Sequence, residues 1–203
     1  MVSKIDICNQ GLVLIGANLV ASFTDNTVES KVANQLYETT LRAMLTKARW
    51  RFATKQEQVT KVTTDPLDKW DSAYQIPNDT ILIHTATVSD NVIQYDRYNE
   101  FLYTNTGQND VVVLHYTYQP HEKEFPDYFT QALVFELASL FAGAIARNDQ
   151  LSLLYEKRAR QQLVVARSME SQTQTSRKLN TSLLIEVRNR ATASGVRAVV
   201  PDS

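Results

Sequence analysis

The stretch Leu45-Thr46-Lys47-Ala48-Arg49-Trp50-Arg51-Phe52-Ala53-Thr54 marks a change of period along the chain. Upstream of it, Val32, Leu36, Met44 and Ala48 recur near one face of a helix. Ala33, Tyr37, Leu41 and Leu45 lie beside them, and a stripe this wide belongs to a core. Asn26 or Thr27 caps that helix with Glu29 in its first turn, and the spacing carries it to about Trp50. Downstream, from about Thr54, helical spacing stops, and Thr, Val, Tyr and Ile become frequent. The residues ending the run, Trp50 and Phe52, are expected to anchor the junction between a helical part and a β part.

Working back from the junction, Ser3 and Asp6 have capping-box spacing for a first helix. Ile5, Cys8, Leu12 and Ile15 follow at helical spacing, and Gly16 is a stop signal. Working forward, Ile81 and Ile83 alternate with Leu82 and His84. Val92 to Tyr95 and Phe101 to Thr104 read as short strands, Asn105-Thr106-Gly107 as a turn, and Val111 to Tyr118 as a strong strand. Pro66 and Pro77 suit loops or edges.

After Tyr118 the helical period returns. Pro120 and Pro126 bracket a connector, and Pro126 fits the first turn of a third helix. Phe129, Leu133, Leu137, Leu140 and Ala144 form its stripe, widened by Ala132, Phe135 and Phe141. Gly143 inside it costs about 1 kcal/mol of helix propensity and suggests close packing. Asn148 caps a fourth helix through Leu151, Leu154, Tyr155, Leu163 and Ala166, with Lys157, Arg158, Arg160 and Arg167 off the stripe. The polar run Ser171 to Ser176 cannot build a core.

The expected fold is therefore mixed α+β, mainly α. A four-helix bundle carries a small antiparallel β subdomain between its second and third helices and ends in an extended arm. The segments are 1–53 (helices one and two), 54–119 (β subdomain), 120–172 (helices three and four) and 173–203 (arm). Phe125 and Phe129 open the third helix and join Trp50 and Phe52 as the expected junction core.

Composition narrows the chemistry. The 203 residues carry a formal net charge of −1, which gives no general pull toward nucleic acid. Residues 177–203 hold five basic and two acidic side chains, so the arm is basic and the body mildly acidic. No apolar run reaches the roughly 18 residues that span a bilayer. The opening Met1-Val2-Ser3-Lys4-Ile5-Asp6 lacks a signal-peptide core, which predicts maturation in a cytoplasm. Cys8 is the one cysteine, which leaves no intrachain disulfide or thiolate metal cluster, and its apolar neighbours suggest a buried side chain.

Catalytic signals are sparse. His84, His115 and His121 lack zinc-site spacing, although His84 and His115 lie in expected strands and could face each other. There is no P-loop and no nucleophile elbow, and the five glycines do not cluster. The expectation is a protein that is not an enzyme and has no cofactor or metal.

Three stretches together resemble the tail tubular protein A family, the head-to-tail adaptors of short-tailed phages. Asn9-Gln10-Gly11-Leu12-Val13-Leu14-Ile15-Gly16 is similar to an opening "N-x-x-L-x-x-I-G" helix. Trp50-Arg51-Phe52-Ala53 is similar to a "W-x-F-A" ending. Phe125-Pro126-Asp127-Tyr128-Phe129, with Ala132, Leu133, Leu137 and Ala138, resembles "F-P-x-x-F-x-x-A-L-x-x-x-L-A". Between the last two, Tyr74, Pro77 and Asp79 resemble a "Y-x-x-P-x-D" step into a strand. The likeness runs in order over about residues 5–170, and each motif alone is short and mainly apolar.

The resemblance implies a virion protein at the head-tail junction, assembled in the host cytoplasm. It implies a ring of twelve copies beneath the portal protein, with the tail nozzle (tail tubular protein B) on its far side. DNA would pass through the channel without specific binding, and no membrane is involved. The arm matches no motif of the family. Leu183, Leu184, Ile185 and Val187 with Arg188, Arg190 and Arg197 form an apolar and basic segment suited to docking on a partner, here the portal. The alternatives are another head-completion protein of a long-tailed phage and, in a different class, a cell-wall hydrolase using paired carboxylates.

Overall fold

The computed structural model describes residues 2–63, 66, 69–107 and 109–173. Four helices and two antiparallel sheets make it a mixed α+β fold, with every strand lying between the second and third helices in sequence. The expected arm, 173–203, falls outside the described residues apart from Thr173.

Helix α1 spans Lys4–Leu14. Ser3 caps it: its Oγ accepts the Asp6 amide at 3.2 Å, while Asp6 Oδ2 accepts the Ser3 amide at 2.9 Å. At its other end Gly16 has φ +71°, the Gly16 amide donates to Val13 O and the Ala17 amide to Leu12 O. This pair of bonds is a Schellman stop, which needs a left-handed residue at the glycine position. The buried stripe is Ile7, Cys8, Gly11 and Leu12 rather than Ile5, Cys8, Leu12 and Ile15. The helix is turned so that Gly11 meets α3, spanning Asp127–Ala144. A Cβ on Gly11 would lie 3.3 Å from the Phe141 ring and 3.5 Å from the Ala138 amide nitrogen.

Asn9 fixes the path out of α1. Its amide group donates to Val20 O and its Oδ1 accepts the Val20 amide, both at 2.9 Å. Helix α2 then runs Val28–Thr46, capped by Thr27, whose Oγ1 accepts the Ser30 amide. It ends four residues before the expected Trp50. The Trp50 indole Nε1 donates to Met44 O at 2.9 Å, a second bond on a carbonyl that also accepts the Lys47 amide at 3.2 Å. The chain at Trp50 is thereby extended (φ −80°, ψ 124°), and a 3-10 turn, Arg51–Ala53, leads into the strands.

Seven strands follow: β1 Thr54–Gln58, β2 Ser72–Gln75, β3 Leu82–Val88, β4 Asn91–Ile93, β5 Tyr95–Tyr98, β6 Phe101–Thr104 and β7 Val112–Thr117. They pair as β1-β7-β3-β4 and β2-β6-β5. The stretch Val92 to Tyr95, read above as one strand, is divided at Gln94 between the two sheets. Thr104 Oγ1 donates to Gln94 O at 2.8 Å and holds this crossing in place. Tyr74 of β2 and Leu102 of β6 meet Ala86 of β3 and Val112, Leu114 and Tyr116 of β7 in one buried cluster. Alternation along β7 supplies those three inward side chains.

In α3, Pro126 is the residue before the first turn rather than within it, and its carbonyl accepts the Phe129 and Thr130 amides at 3.0 Å. Leu140 is exposed; the buried face is Phe129, Ala132, Leu133, Leu137, Ala138 and Phe141. Gly143 is exposed too, with Ser152 Oγ 3.9 Å from where its Cβ would be, so Gly11 is the glycine at the close approach. Helix α4, Asp149–Gln172, starts at Asn148, whose Oδ1 accepts the Leu151 amide at 3.0 Å. It is tied to the body by Tyr155, whose hydroxyl donates to Leu14 O at 2.7 Å, and by reciprocal Ser139–Ser152 bonds.

Candidate functional site

The four aromatic residues expected at the junction are brought together. Phe129 is the hub: its ring centroid lies 5.1 Å from Trp50, 4.9 Å from Phe52 and 5.2 Å from Phe125, all edge-on. Phe52 also meets Phe125 at 6.0 Å and Trp50 at 6.0 Å. Edge-to-face contacts of this kind add about 0.5–1.5 kcal/mol each beyond burial. Trp50 and Phe129 are fully buried and Phe125 nearly so, which makes this an internal joint and not a docking surface.

A buried carboxylate, which sequence reading missed, locks the same joint from outside. Glu170 on α4 accepts the Arg51 amide through Oε1 at 2.7 Å and the Tyr128 hydroxyl through Oε2 at 2.5 Å. Burial and then the Glu170 hydrogen bond push the Tyr128 phenol well above its ordinary range, so it stays a donor. One side chain thus links the turn into the strands, the start of α3 and the end of α4.

The polar cluster around Tyr116 has a different chemistry. The Tyr116 hydroxyl lies 2.7 Å from Glu57 Oε2 and 3.0 Å from Asp79 Oδ1, and Lys55 Nζ donates to Asp79 Oδ2 at 2.7 Å. Burial pushes the Asp79 carboxyl up, but the bonds from Lys55 and Tyr116 outweigh it and hold the group below the usual carboxylate range. Two neighbouring carboxylates are what a glycoside hydrolase uses, but its acid must be held protonated near neutrality. Asp79, held ionised, fits the base or nucleophile role of such a pair and not the acid's. The cluster ties β1, the β2–β3 loop and β7 together.

The histidines and the cysteine are placed as follows. His84 Nε2 and Thr117 Oγ1 are 2.8 Å apart, and the β3–β7 register slips between Ile83 and Thr85 to make room for it. His115 Nδ1 lies 3.2 Å from Gln56 Nε2, so the two rings bond to different partners. His121 precedes the 3-10 turn Glu122–Glu124. Among the described residues no three His, Cys, Asp or Glu side chains are grouped to hold a metal ion, and no helix is long and apolar enough to cross a membrane. Burial pushes the Cys8 thiol up to about 12, which leaves little thiolate at neutral pH.

The aromatic side chains of the β region divide. Tyr74 and Tyr116 are core, whereas Tyr98 is exposed and stacks edge-on with Tyr103 at 5.4 Å. The larger apolar surfaces lie on the helices. A groove of about 1010 Å³ runs between α1 and α3, and Leu153, Leu154, Val164 and Val165 stand exposed on α4. The arm residues Leu183, Leu184, Ile185, Val187, Arg188, Arg190 and Arg197 lie outside the described residues.

No protein-family model matches this chain, and no curated protein sequence matches it.

Proposed function

We propose that this chain is a structural adaptor of a tailed phage, joining the portal to the tail nozzle as one copy in a ring of about twelve. In this reading the four helices act as a bundle. The β region is an insert presented at one end, and the C-terminal arm docks on the portal. The side chains supply adhesive surface and shape, with no catalytic group and no cofactor, and DNA passes through the ring without specific contacts.

The observation that carries the reading is the aromatic joint. Two of the segments that resemble the adaptor family, Trp50–Ala53 and Phe125–Phe129, are far apart in sequence. Their four aromatic side chains meet in one cluster around Phe129. Further support comes from Asn9, Leu12 and Gly16 of the opening motif, which hold the α1–α2 connection, pack the core and stop the helix. Exposed apolar side chains on α1 and α4 suit a protein that works through contacts.

The deciding experiment mixes the purified chain with its portal and examines the complex by electron microscopy. A collar of copies on the tail-facing side of the portal is the expected image. A portal that stays bare at saturating protein would overturn the adaptor reading. Deleting residues 177–203 is expected to abolish binding; full binding by the truncated chain would remove the arm from the account.

A further inference from the structure

Two exposed surfaces on this chain are apolar and opposite in charge. The first is the groove between α1 and α3. Val13 and Leu19 line it at 60% and 64% exposure, with Val134 and Phe135 at its floor. Among the described residues, the ionisable side chains lining it are Asp6 and Asp127, both acidic. The second is the outer face of α4. At about 100° per residue, Leu153, Leu154, Lys157, Arg158, Val164 and Val165 fall within an arc of about 140°. Its four apolar members are exposed, Val164 by 67%, and its two charges are basic.

The α4 face is turned outward in its own chain. Tyr155, Ala159 and Ala166 are buried on the opposite side of the helix, where Tyr155 is bonded to Leu14 and Ser152 to Ser139. Turning the apolar face inward would break that attachment. An amphipathic helix laying its apolar face in a hydrophobic groove is a recurrent docking mode. Here the two surfaces carry opposite charges, two cations on the helix and two carboxylates on the groove, which favours this pairing over face with face or groove with groove.

We propose that the α4 face of one copy seats in the α1/α3 groove of a second copy. The occupant of the groove is therefore this same chain. Because the two surfaces differ, a pair still has one free groove, on the copy that gave its face, and one free face, on the copy that gave its groove. Such head-to-tail contacts propagate, and they close into a ring when the rotation permits. The inference rests on the adaptor reading only for closure on a portal; the contact itself is argued from the two surfaces.

The test uses the full chain and two variants at exposed sites, Val164→Glu on the face and Val13→Lys in the groove. Each places a charge against its like. Matched thermal melting curves show that both variants fold. Sedimentation velocity over a concentration series is expected to show self-association of the natural chain, weakened at least about tenfold in each variant, as for a central interface anchor. A one-to-one mixture of the variants is expected to associate again, since it still holds one natural face and one natural groove.

A natural chain that stays monomeric at every concentration overturns the proposal. So does a variant that assembles like the natural chain, or a mixture that stays monomeric. The portal experiment separates the two readings. Val164→Glu still forming a complete collar on the portal rejects this contact and leaves the adaptor function standing. Self-association through face and groove with no portal binding does the reverse.

Discussion

The carboxylate of Glu170 and the backbone amide of Arg51 are 2.7 Å apart, although 119 positions separate them in the chain. The same carboxylate takes the Tyr128 hydroxyl. Replacing Glu170 by Ala leaves these donors without that acceptor in a largely buried place, a loss on the order of 3 kcal/mol. Glu170→Gln keeps a carbonyl oxygen and is expected to lose less. Urea unfolding monitored by Trp fluorescence measures both. An alanine variant as stable as the natural protein would show that the clamp adds nothing.

The aromatic joint predicts a graded response. Phe129 touches all three other rings and is fully buried, so Phe129→Ala is expected to cost about 3–5 kcal/mol. For a chain of this size that lowers Tm by on the order of 10 °C. Phe52 is only partly buried, and Phe52→Ala is expected to cost roughly half as much. Calorimetry on the two variants and on their combination checks this, with a combined loss smaller than the sum because the rings share contacts. Strict additivity would argue against a shared cluster.

Two glycines are expected to respond in opposite directions. Gly16 has φ +71°, so Gly16→Ala forces a side chain into the left-handed region at about 1 kcal/mol. Gly143 lies inside α3 with nothing nearer than 3.9 Å to its absent Cβ. Gly143→Ala is expected to stabilise by about 0.5–1 kcal/mol through helix propensity. Paired thermal melts settle the signs, and a destabilising Gly143→Ala would contradict the open space beside it.

Acid sensitivity should begin with His84. Burial first, and then the nearby Arg49 and His115 charges, hold its pKa below the ordinary histidine value. The unfolded chain therefore binds a proton before the folded one does. No stability is lost above the unfolded value near 6.5. Stability falls as the pH drops from there toward the folded value, then levels off. Carboxylates held low, such as Asp79, lose their contribution only below about 4. Urea midpoints at pH 7.5, 6 and 5 should slope in the natural protein and flatten in His84→Gln. Equal slopes in both would assign the loss elsewhere.

Much of the local structure was legible because short-range chemistry dictates it. Ser3 with Asp6, Thr27 and Asn148 cap helices where their side chains reach a free amide, and Gly16 stops α1. The aromatic joint was legible from the change of period around Trp50. What failed depended on partners distant in sequence. Ile7 rather than Ile5 is buried because α1 turns Gly11 toward Phe141. Helix α2 ends at Thr46, and the Trp50 side chain folds back on its last turn to reach Met44 O.

The β region hid its division for a similar reason. Its β3–β4 turn uses Ser89 and Asp90 in left-handed conformations, φ 48° and 65°, where Asn-Gly would have announced a two-residue hairpin. Val92, read as the start of a short strand, stands exposed on the outer strand of its sheet. Glu170 gave no signal, being one of three acids in a polar helix that also holds four basic residues. The acceptor role comes from the place where that helix ends.

The strands begin just after Ala53 and finish just before Tyr118, and the Tyr118 amide donates to Ala53 O at 2.9 Å. The polypeptide therefore departs from the helices and comes back through a single doorway. Lengthening or shortening the excursion between those two residues moves neither jamb. Descendants of this chain can exchange the whole excursion for another, or trim it to a tight loop, while the helices keep their seats. Variation in size among such proteins is expected to concentrate there.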